Sequence, residues 1–213
     1  MFEEILSKQT KSALAVLGKS GVLTDAYLAG GTALALEFGH RISVDLDFFI
    51  KKKFDENIIL RKLKSLPLTF RLERSGEDTI LGYVGRTRFS LFFYDYPLLA
   101  KTRSFLGVNV ADARDIAPMK VAAISSRGTK RDFVDLYFIV KVEKKFTLAE
   151  VIDLYDRKFK ALRQNEFHIL KSLTFFDDAE KDKMPKMIQS VQWGAVKKFF
   201  EQETERIGHT IIG

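Results

Sequence analysis

Two aspartates separated by a single residue could act together on a phosphate group or a metal ion. They lie in the stretch AGGTALALEFGHRISVDLDFF, residues 29–49, where Asp45 and Asp47 alternate with Val44, Leu46 and Phe48. In an extended strand both carboxylates would share one face, about 7 Å apart, opposite the apolar side chains. Two such carboxylates repel each other unless a cation lies between them, and Mg²⁺ prefers oxygen ligands from one or two carboxylates plus substrate phosphates. The spacing is compatible with a magnesium site, although an isolated pair more often faces water.

A glycine pair shortly before these aspartates strengthens that interpretation. Gly30 and Gly31 follow a predicted strand and precede a predicted helix with Thr32 near its N-cap. Glycine lets phosphate oxygens approach backbone N–H groups, and a helix N-terminus carries partial positive charge. A glycine pair alone is more often a plain turn. Together with the aspartates, however, it predicts a phosphate-binding turn beside metal ligands, as phosphoryl chemistry requires.

The elements that would position these residues form an α/β region followed by a helical region. Strands are predicted at residues 26–29, 42–50, 68–74, 79–84, 88–95 and 108–110, and helices at 2–18, 32–38 and 55–66, the last capped by Asp55. From Asp115, a predicted N-cap, the pattern is helical, with a loop at 125–131 and a capping box formed by Thr147 and Glu150. These features predict two domains, residues 1–110 and 111–213.

Composition limits the classes of function. The chain has 213 residues, no cysteine and only three histidines, which excludes thiolate metal sites and argues against a zinc enzyme. The formal net charge of +7 favours a polyanionic partner without identifying it. The N-terminus lacks a signal-peptide pattern and no stretch is apolar enough to span a membrane, so we expect a cytoplasmic protein with no membrane partner.

The motifs resemble a known superfamily. AGGTALAL (29–36) and HRISVDLDFF (40–49) resemble the glycine motif and the D-x-D strand of DNA polymerase β-like nucleotidyltransferases. With IAPMKVAAISSRGTKRDFVDLYFI (116–139), the chain resembles more narrowly the AbiEii/AbiGii toxin nucleotidyltransferases of abortive-infection systems. HILKSLTFFDDAE (168–180) and WGAVKKFF (193–200) extend the similarity over almost the whole chain. The resemblance implies an α+β fold: a polymerase β-like core, with a mixed sheet flanked by helices, and a helical C-terminal domain.

The resemblance also implies roles for individual residues. Asp45 and Asp47 would hold Mg²⁺, two ions when a nucleoside triphosphate (NTP) is bound, and the triphosphate would lie against Gly30, Gly31 and Thr32. Lys120 and an aspartate of the R-D-x-x-D segment, Asp132 or Asp135, would complete the site from the C-terminal domain. Lys120 is flanked by small or apolar residues, so its amine must reach solvent or bind an anion.

Several other polar residues have alternative interpretations. Ser126, Arg127 and Arg131 lie in a cationic loop suited to a nucleotide or RNA phosphate, or simply to solvent. Asp132 could cap the next helix, and Asp135 could pair with Arg131. Arg41 could orient a carboxylate or contact phosphate, whereas His40 is better explained as structural. Ser43 could hydrogen-bond Asp45.

The general base is the least defined part of the predicted site. Related enzymes carry a third carboxylate on a later strand, and the candidate in FSLFFYDYP is Asp95, which a turn would explain equally well. Asp132 or Asp135 could instead take that role, or the acceptor hydroxyl could need little activation.

The leading hypothesis is therefore a Mg²⁺-dependent transfer of a nucleoside monophosphate from an NTP to an acceptor hydroxyl. The family resemblance and the basic charge favour RNA, in particular a tRNA 3′ end, and imply a toxin with a cognate antitoxin protein. The alternatives are transfer onto a protein side chain, or a noncatalytic nucleotide- or RNA-binding module with the same fold.

Overall fold

A mixed sheet occupies the N-terminal half of the chain. The computed structural model describes residues 1–160 and 166–212, and its strands are β1 (Ala26–Ala29), β2 (Leu46–Ile50), β3 (Phe70–Gly76), β4 (Thr79–Val84), β5 (Thr87–Phe93), β6 (Arg103–Phe105) and β7 (Val108–Val110). Their order across the sheet is β3-β4-β5-β2-β1-β7-β6. The pairs β1 with β7 and β2 with β5 are parallel, and the other neighbours are antiparallel.

Along the chain, helices lie before, between and after the strands of this sheet, and they make up the C-terminal half of the chain. They are α1 (Lys8–Lys19), α2 (Gly30–Phe38), α3 (Glu56–Lys64), α4 (Ala113–Arg127), α5 (Lys130–Tyr137), α6 (Leu148–Phe159), α7 (Glu166–Ser172), α8 (Asp177–Lys181) and α9 (Trp193–Ile212). A 3₁₀ turn, Glu3–Ile5, precedes α1, and a π-helical segment, Phe138–Val142, follows α5. Across the described residues, no helix combines the length and apolar character needed to cross a membrane.

The chain divides into two compact units. The first comprises Met1–Glu37 and Ile42–Asp112, and the second comprises Phe38–Arg41 and Ala113–Gly213. The sequence did not predict that residues 38–41 join the helical unit. They do so because the His40 carbonyl accepts hydrogen bonds from the backbone N–H groups of Ile188 and Gln189, at 2.9 and 3.0 Å.

Each unit has its own apolar core. In the first unit, Phe48 of β2 packs against Phe89 of β5, with ring centroids 5.8 Å apart, and both side chains are fully buried. In the second unit Phe133 of α5 contacts the rings of Phe176, Trp193 and Phe200. Burying aromatic side chains of this size contributes much of the stability of small units.

Local capping signals correctly predicted two helix starts. Asp55 caps α3 by accepting from the backbone N–H groups of Asn57 and Ile58, and Thr147 with Glu150 forms the predicted capping box of α6. The segment predicted as one helix over 2–18 is instead a 3₁₀ turn followed by α1, because the Ser7 hydroxyl accepts from the Thr10 N–H and starts a new helix.

Other predicted boundaries were wrong. Asp115 does not cap a helix: α4 begins at Ala113, and the carboxylate of Asp115 is fully buried, 2.7 Å from the amine of Lys158. The predicted loop 125–131 is also shorter, because α4 continues through Arg127 and α5 begins at Lys130. Strand β6 was not predicted from the sequence.

Candidate active site

Gly30 stands at the junction between a buried strand and the helix that follows it. The predicted turn at Gly30 and Gly31 is in fact the first turn of α2, which begins at Gly30 directly after β1. Gly30 has a φ of +67°, which L side chains rarely adopt. A Cβ at this position would lie 3.5 Å from Oδ2 of Asp47. Glycine therefore permits the abrupt start of the helix and keeps the space beside this carboxylate open.

Thr32 holds the backbone of Asp45. Its side chain is buried, and its hydroxyl donates to the carbonyl oxygen of Asp45 and contacts the hydroxyl of Ser43 at 2.8 Å. Thr32 is thus neither an N-cap nor a free side-chain ligand for phosphate, although its backbone N–H belongs to the first turn of α2. Ser43 contacts Thr32, a partner that the sequence did not predict.

The two aspartates differ in their backbone setting. The predicted strand 42–50 is shorter, since β2 begins at Leu46 and Asp45 precedes it. β1 ends at Ala29, opposite Asp47, and the chain then turns into α2. Asp45 and Asp47 are half-buried, whereas Val44, predicted to share one strand face with the buried Leu46 and Phe48, is 51% exposed.

This arrangement fits a magnesium ion that shares its ligands with a substrate. Within the described residues no cluster of three or more histidine, aspartate or glutamate side chains could hold a metal by itself. Mg²⁺ commonly takes only one or two carboxylates from a protein and completes its shell with water and substrate phosphate oxygens. The two half-buried aspartates and the open space that Gly30 leaves beside Asp47 meet that requirement.

Strand β5 does not bring a third carboxylate to this position. β5 runs parallel to β2 and places Ser90 opposite Asp47. Asp95 lies beyond the end of β5 and is exposed. An extended chain from Ser90 to Asp95 covers roughly 16 Å, so Asp95, one of the candidate bases, is too far along the strand direction for that role.

Asp45 also lines a cavity of about 490 Å³ in the first unit. Its walls come from the start of α1, the residues before β2, and the β4–β5 hairpin. The hairpin contributes Tyr83, Arg86 and Arg88, and both arginines are exposed. None of these three was predicted as a site residue. The three residues are close together in the sequence, but only the folded hairpin shows that they adjoin Asp45.

In the second unit, Lys120 lies between two buried aspartates. Its amine is 2.9 Å from Oδ1 of Asp132 and 2.6 Å from Oδ2 of Asp135. The side chain of Lys120 is only 7% exposed. Of the two alternatives predicted for this amine, solvent or an anion, the structure shows the second, and the anions are carboxylates of the protein itself. Its predicted role in neutralising phosphate charge remains a prediction.

Arg41 and His40 bind the same aspartate. The Arg41 guanidinium donates to both oxygens of Asp135, and Nε2 of His40 lies 2.8 Å from Oδ1. Arg41, predicted to orient a carboxylate or contact phosphate, therefore does the first, and the predicted ion pair of Asp135 with Arg131 is not formed. Arg41 is buried, and with its guanidinium committed to Asp135 it is not placed to bind a nucleotide.

These ion pairs fix the charges of the cluster. Burial opposes the charged form of Asp135, but Arg41 and then Lys120 outweigh it and hold the pKa of Asp135 well below its usual range. Burial is likewise outweighed at Asp132, where Lys120 and Arg127 lower the pKa to about 2. At Lys120 burial is outweighed by Asp135 and Asp132, so its pKa is raised. Carboxylates with such low pKa values are poor general bases near neutral pH.

The residues of the predicted cationic loop have structural partners. Nε of Arg127 donates to the carboxylate of Asp132 at 3.0 Å, and the hydroxyl of Thr129 donates to the same carboxylate. Asp132 therefore binds several side chains and does not cap the helix. The hydroxyl of Ser126 donates to the Ala123 carbonyl within α4, and Arg131 is exposed. Ser126 and Arg127 both line a cavity of about 260 Å³ that Arg131 does not line, and nucleotide binding by these three residues remains a prediction.

The mixed sheet flanked by helices is the fold expected of a nucleotidyltransferase, and the family comparison confirms this class. The family model for the AbiEii nucleotidyl transferase toxin of type IV toxin–antitoxin systems matches residues 12–80 and 92–209. The chain belongs to this family. Membership implies a nucleotide substrate and an antitoxin partner.

Similar proteins are found among both sequences and solved structures. An uncharacterized protein of Aquifex aeolicus (strain VF5) is 36% identical over 207 residues, which cover 94% of this chain and 96% of that protein. A crystal structure of a proposed nucleotidyltransferase from Helicobacter pylori aligns with a TM-score of 0.56 at 19% identity and covers 96% of each chain. JHP933 from Helicobacter pylori aligns with a TM-score of 0.53 at 21% identity and covers 97% of each chain. These structural similarities support the fold.

Proposed function

We propose that the protein transfers a nucleoside monophosphate from an NTP to a hydroxyl at the 3′ end of an RNA, in particular a tRNA, in a Mg²⁺-dependent reaction. The observation that carries this proposal is the pairing of Asp45 and Asp47 with the open start of α2 at Gly30. Family membership supplies the reaction class, and the net charge of +7 supports a polyanionic acceptor.

The first turn of α2 is suited to the triphosphate. The backbone N–H groups of Gly30, Gly31 and Thr32 are among the first of α2 and have no partner within that helix. Such groups, together with the partial positive charge of a helix N-terminus, bind phosphate oxygens. Because Gly30 has no side chain, a phosphate can approach this backbone next to Asp47.

Asp45 and Asp47 would hold Mg²⁺, two ions when the NTP is bound. The bound metal would supply charge neutralisation at the phosphates and fix the triphosphate for in-line displacement. Thr32 holds the Asp45 backbone, which keeps this carboxylate in a defined position.

In the reaction, the acceptor oxygen forms a bond to the α-phosphorus of the NTP. The bond from the α-phosphorus to the oxygen bridging toward the β-phosphorus breaks, and pyrophosphate leaves with that electron pair. The acceptor hydroxyl gives its proton to solvent, since Asp95 is distant and Asp132 and Asp135 are held in ion pairs. Catalysis then rests on positioning and on electrostatic stabilisation.

Incorporation of label tests the proposal. The purified protein is incubated with each of the four α-³²P-labelled NTPs, Mg²⁺ and total RNA, and the RNA and the protein are then separated. We expect label on RNA of tRNA size, its loss when Mg²⁺ is chelated, and its loss in Asp45→Asn and Asp47→Asn. Asp25→Asn, which changes an exposed aspartate immediately before β1, is the matched control and should keep full activity.

Two results would contradict the proposal. Label on protein alone would assign the activity to a side-chain acceptor. Binding of NTP without transfer, with the same affinity in both site variants, would show that the protein does not turn the nucleotide over and that the two aspartates do not bind it.

A further inference from the structure

Three side chains on neighbouring strands of the first unit form a continuous row. The register of the sheet places Arg71 of β3 opposite Tyr83 of β4, and Tyr83 opposite Arg88 of β5. Residues directly opposite each other in antiparallel strands project from the same face of the sheet. Arg71, Tyr83 and Arg88 therefore share one face, and we refer to them as the β3–β5 row.

The row ends at Asp45. The parallel pairing of β5 with β2 places Phe89 opposite Leu46, so Arg88 adjoins the position of Asp45, immediately before β2. Tyr83, Arg88 and Asp45 also line the same cavity of about 490 Å³, which is large enough for a nucleotide-sized ligand. Arg86, from the β4–β5 turn, adds a second cation to this cavity.

The chemistry of the row suits single-stranded nucleic acid. The guanidinium carbon of Arg71 lies 4.3 Å from the centroid of the Tyr83 ring, so the two planar groups form a stacked surface on which a base can rest. Within the described part of the chain, neither Arg86 nor Arg88 is paired with a carboxylate. Their charges therefore remain available for a phosphate backbone, and a guanidinium can donate two hydrogen bonds to one phosphate.

The neighbours of β2 differ on its two edges, which would keep the NTP and the acceptor apart. On the β1 side, Ala29 pairs with Asp47, and the chain continues into Gly30 and the first turn of α2. On the β5 side lie Arg88 and the cavity that contains Asp45. If the triphosphate occupies the glycine side, the second substrate must reach the aspartates from the arginine side.

We propose that the β3–β5 row, together with Arg86, binds the single-stranded end of the acceptor RNA and leads its terminal hydroxyl to Asp45. This inference rests on the proposed function for the identity of the acceptor. It assigns phosphate contacts to Arg86 and Arg88 and base stacking to Arg71 with Tyr83.

Equilibrium binding of RNA to the protein tests whether the β3–β5 row contacts RNA. A fluorescent single-stranded RNA of ten nucleotides is titrated without NTP, and anisotropy is measured over a series of salt concentrations. The variants are Arg88→Gln and Tyr83→Leu, and the matched control is Arg61→Gln, which removes the same charge from an exposed position on α3 outside the cavity. Thermal stabilisation by Mg²⁺ and NTP is measured on every variant and also confirms that each one folds.

We expect Arg88→Gln to weaken RNA binding about fivefold or more and to reduce the slope of log K against log salt by about one. Tyr83→Leu should weaken binding without changing the salt slope, and Arg61→Gln should change the affinity by less than about twofold. Stabilisation by Mg²⁺ and NTP should be unchanged in all three variants.

Equal RNA affinity of Arg88→Gln and Arg61→Gln would overturn the inference. Loss of stabilisation by Mg²⁺ and NTP in Arg88→Gln with unchanged RNA binding would also overturn it, because Arg88 would then bind the triphosphate. Failure of the proposed function gives a different result. In that case the row variants lose RNA binding as expected, while the wild-type protein transfers no label to RNA.

Discussion

Arg41 and Asp135 are 94 positions apart in the chain and form a buried two-point ion pair. Nε of Arg41 donates to Oδ1 of Asp135 at 2.7 Å, and Nη2 donates to Oδ2 at 2.9 Å. Lys120 approaches the same carboxylate at 2.6 Å. Asp135 thus compensates two buried cations at once, which ties the short segment 38–41 to α4 and α5 within the second unit.

Removing the charge of Asp135 should strongly destabilise the protein. In Asp135→Asn, Arg41 and Lys120 stay buried without this carboxylate, and breaking a buried ion pair on one side costs about 3 kcal/mol or more. Urea unfolding of both variants measures this difference. Asp153→Asn, at an exposed position on α6, is the control and should change the free energy of unfolding by less than about 0.5 kcal/mol. Equal stability of the two variants would contradict the assigned role of Asp135.

Asp132 should make stability depend on pH in the acid range. Its pKa is lowered from 3.8 to about 2 in the folded protein, so the unfolded state binds more protons between these values. The stabilisation, about 2 kcal/mol, is fully present above pH 4 and is lost as the pH falls through 2. Urea unfolding at a series of pH values from 2 to 6 should show a shallower dependence in Asp132→Asn than in the wild type. Parallel curves would show that Asp132 has its ordinary pKa.

Gly30→Ala should separate backbone strain from damage to the site. Gly30 has a φ of +67°, and the matched control Gly21 has a φ of +68°. Both alanine variants should lose about 1 kcal/mol of stability, because both place a side chain in the left-handed region. An added Cβ at position 30 meets Oδ2 of Asp47 at 3.5 Å, whereas at position 21 its nearest neighbour is the Thr24 hydroxyl at 3.8 Å.

The readout is nucleotidyl transfer at a temperature where both variants are folded. Gly30→Ala should lower the rate about tenfold or more, because the methyl group occupies the space next to the carboxylate. Gly21→Ala should retain the wild-type rate. Equal rates in both variants would show that the space beside Asp47 is not used by the substrate.

The sequence predicted those features that short segments determine. The Asp55 cap, the capping box of Thr147 and Glu150, and the strands β1 and β7 were predicted correctly, because each depends on residues within a few positions of one another. In the same way, the glycine pair and the two aspartates could be singled out from their spacing in one stretch of 21 residues.

Contacts between distant residues could not be predicted in this way. The apolar neighbours of Lys120 indicated that its amine must reach solvent or bind an anion, but its actual partners, Asp132 and Asp135, depend on how α4 packs against α5. Asp115 has the spacing of a helix cap, yet it pairs with Lys158, which is 43 positions away. The β3–β5 row likewise depends on the register of three strands, which local patterns do not fix.

Thr32 provides a test of how the position of Asp45 is maintained. Thr32→Val keeps the shape of this buried side chain but removes the hydroxyl that donates to the Asp45 carbonyl and contacts Ser43. Loss of these two contacts should cost about 1–3 kcal/mol of stability. Displacement of the Asp45 backbone should lower the rate of nucleotidyl transfer about tenfold.

Thr32→Ser retains the hydroxyl and should recover most of the rate, despite the small cavity left by the missing methyl group. Rate measurements at saturating NTP, with urea unfolding of each variant, distinguish the two effects. If Thr32→Val were less stable but fully active, the hydroxyl would serve only the fold, and the position of Asp45 would have to be fixed by other contacts.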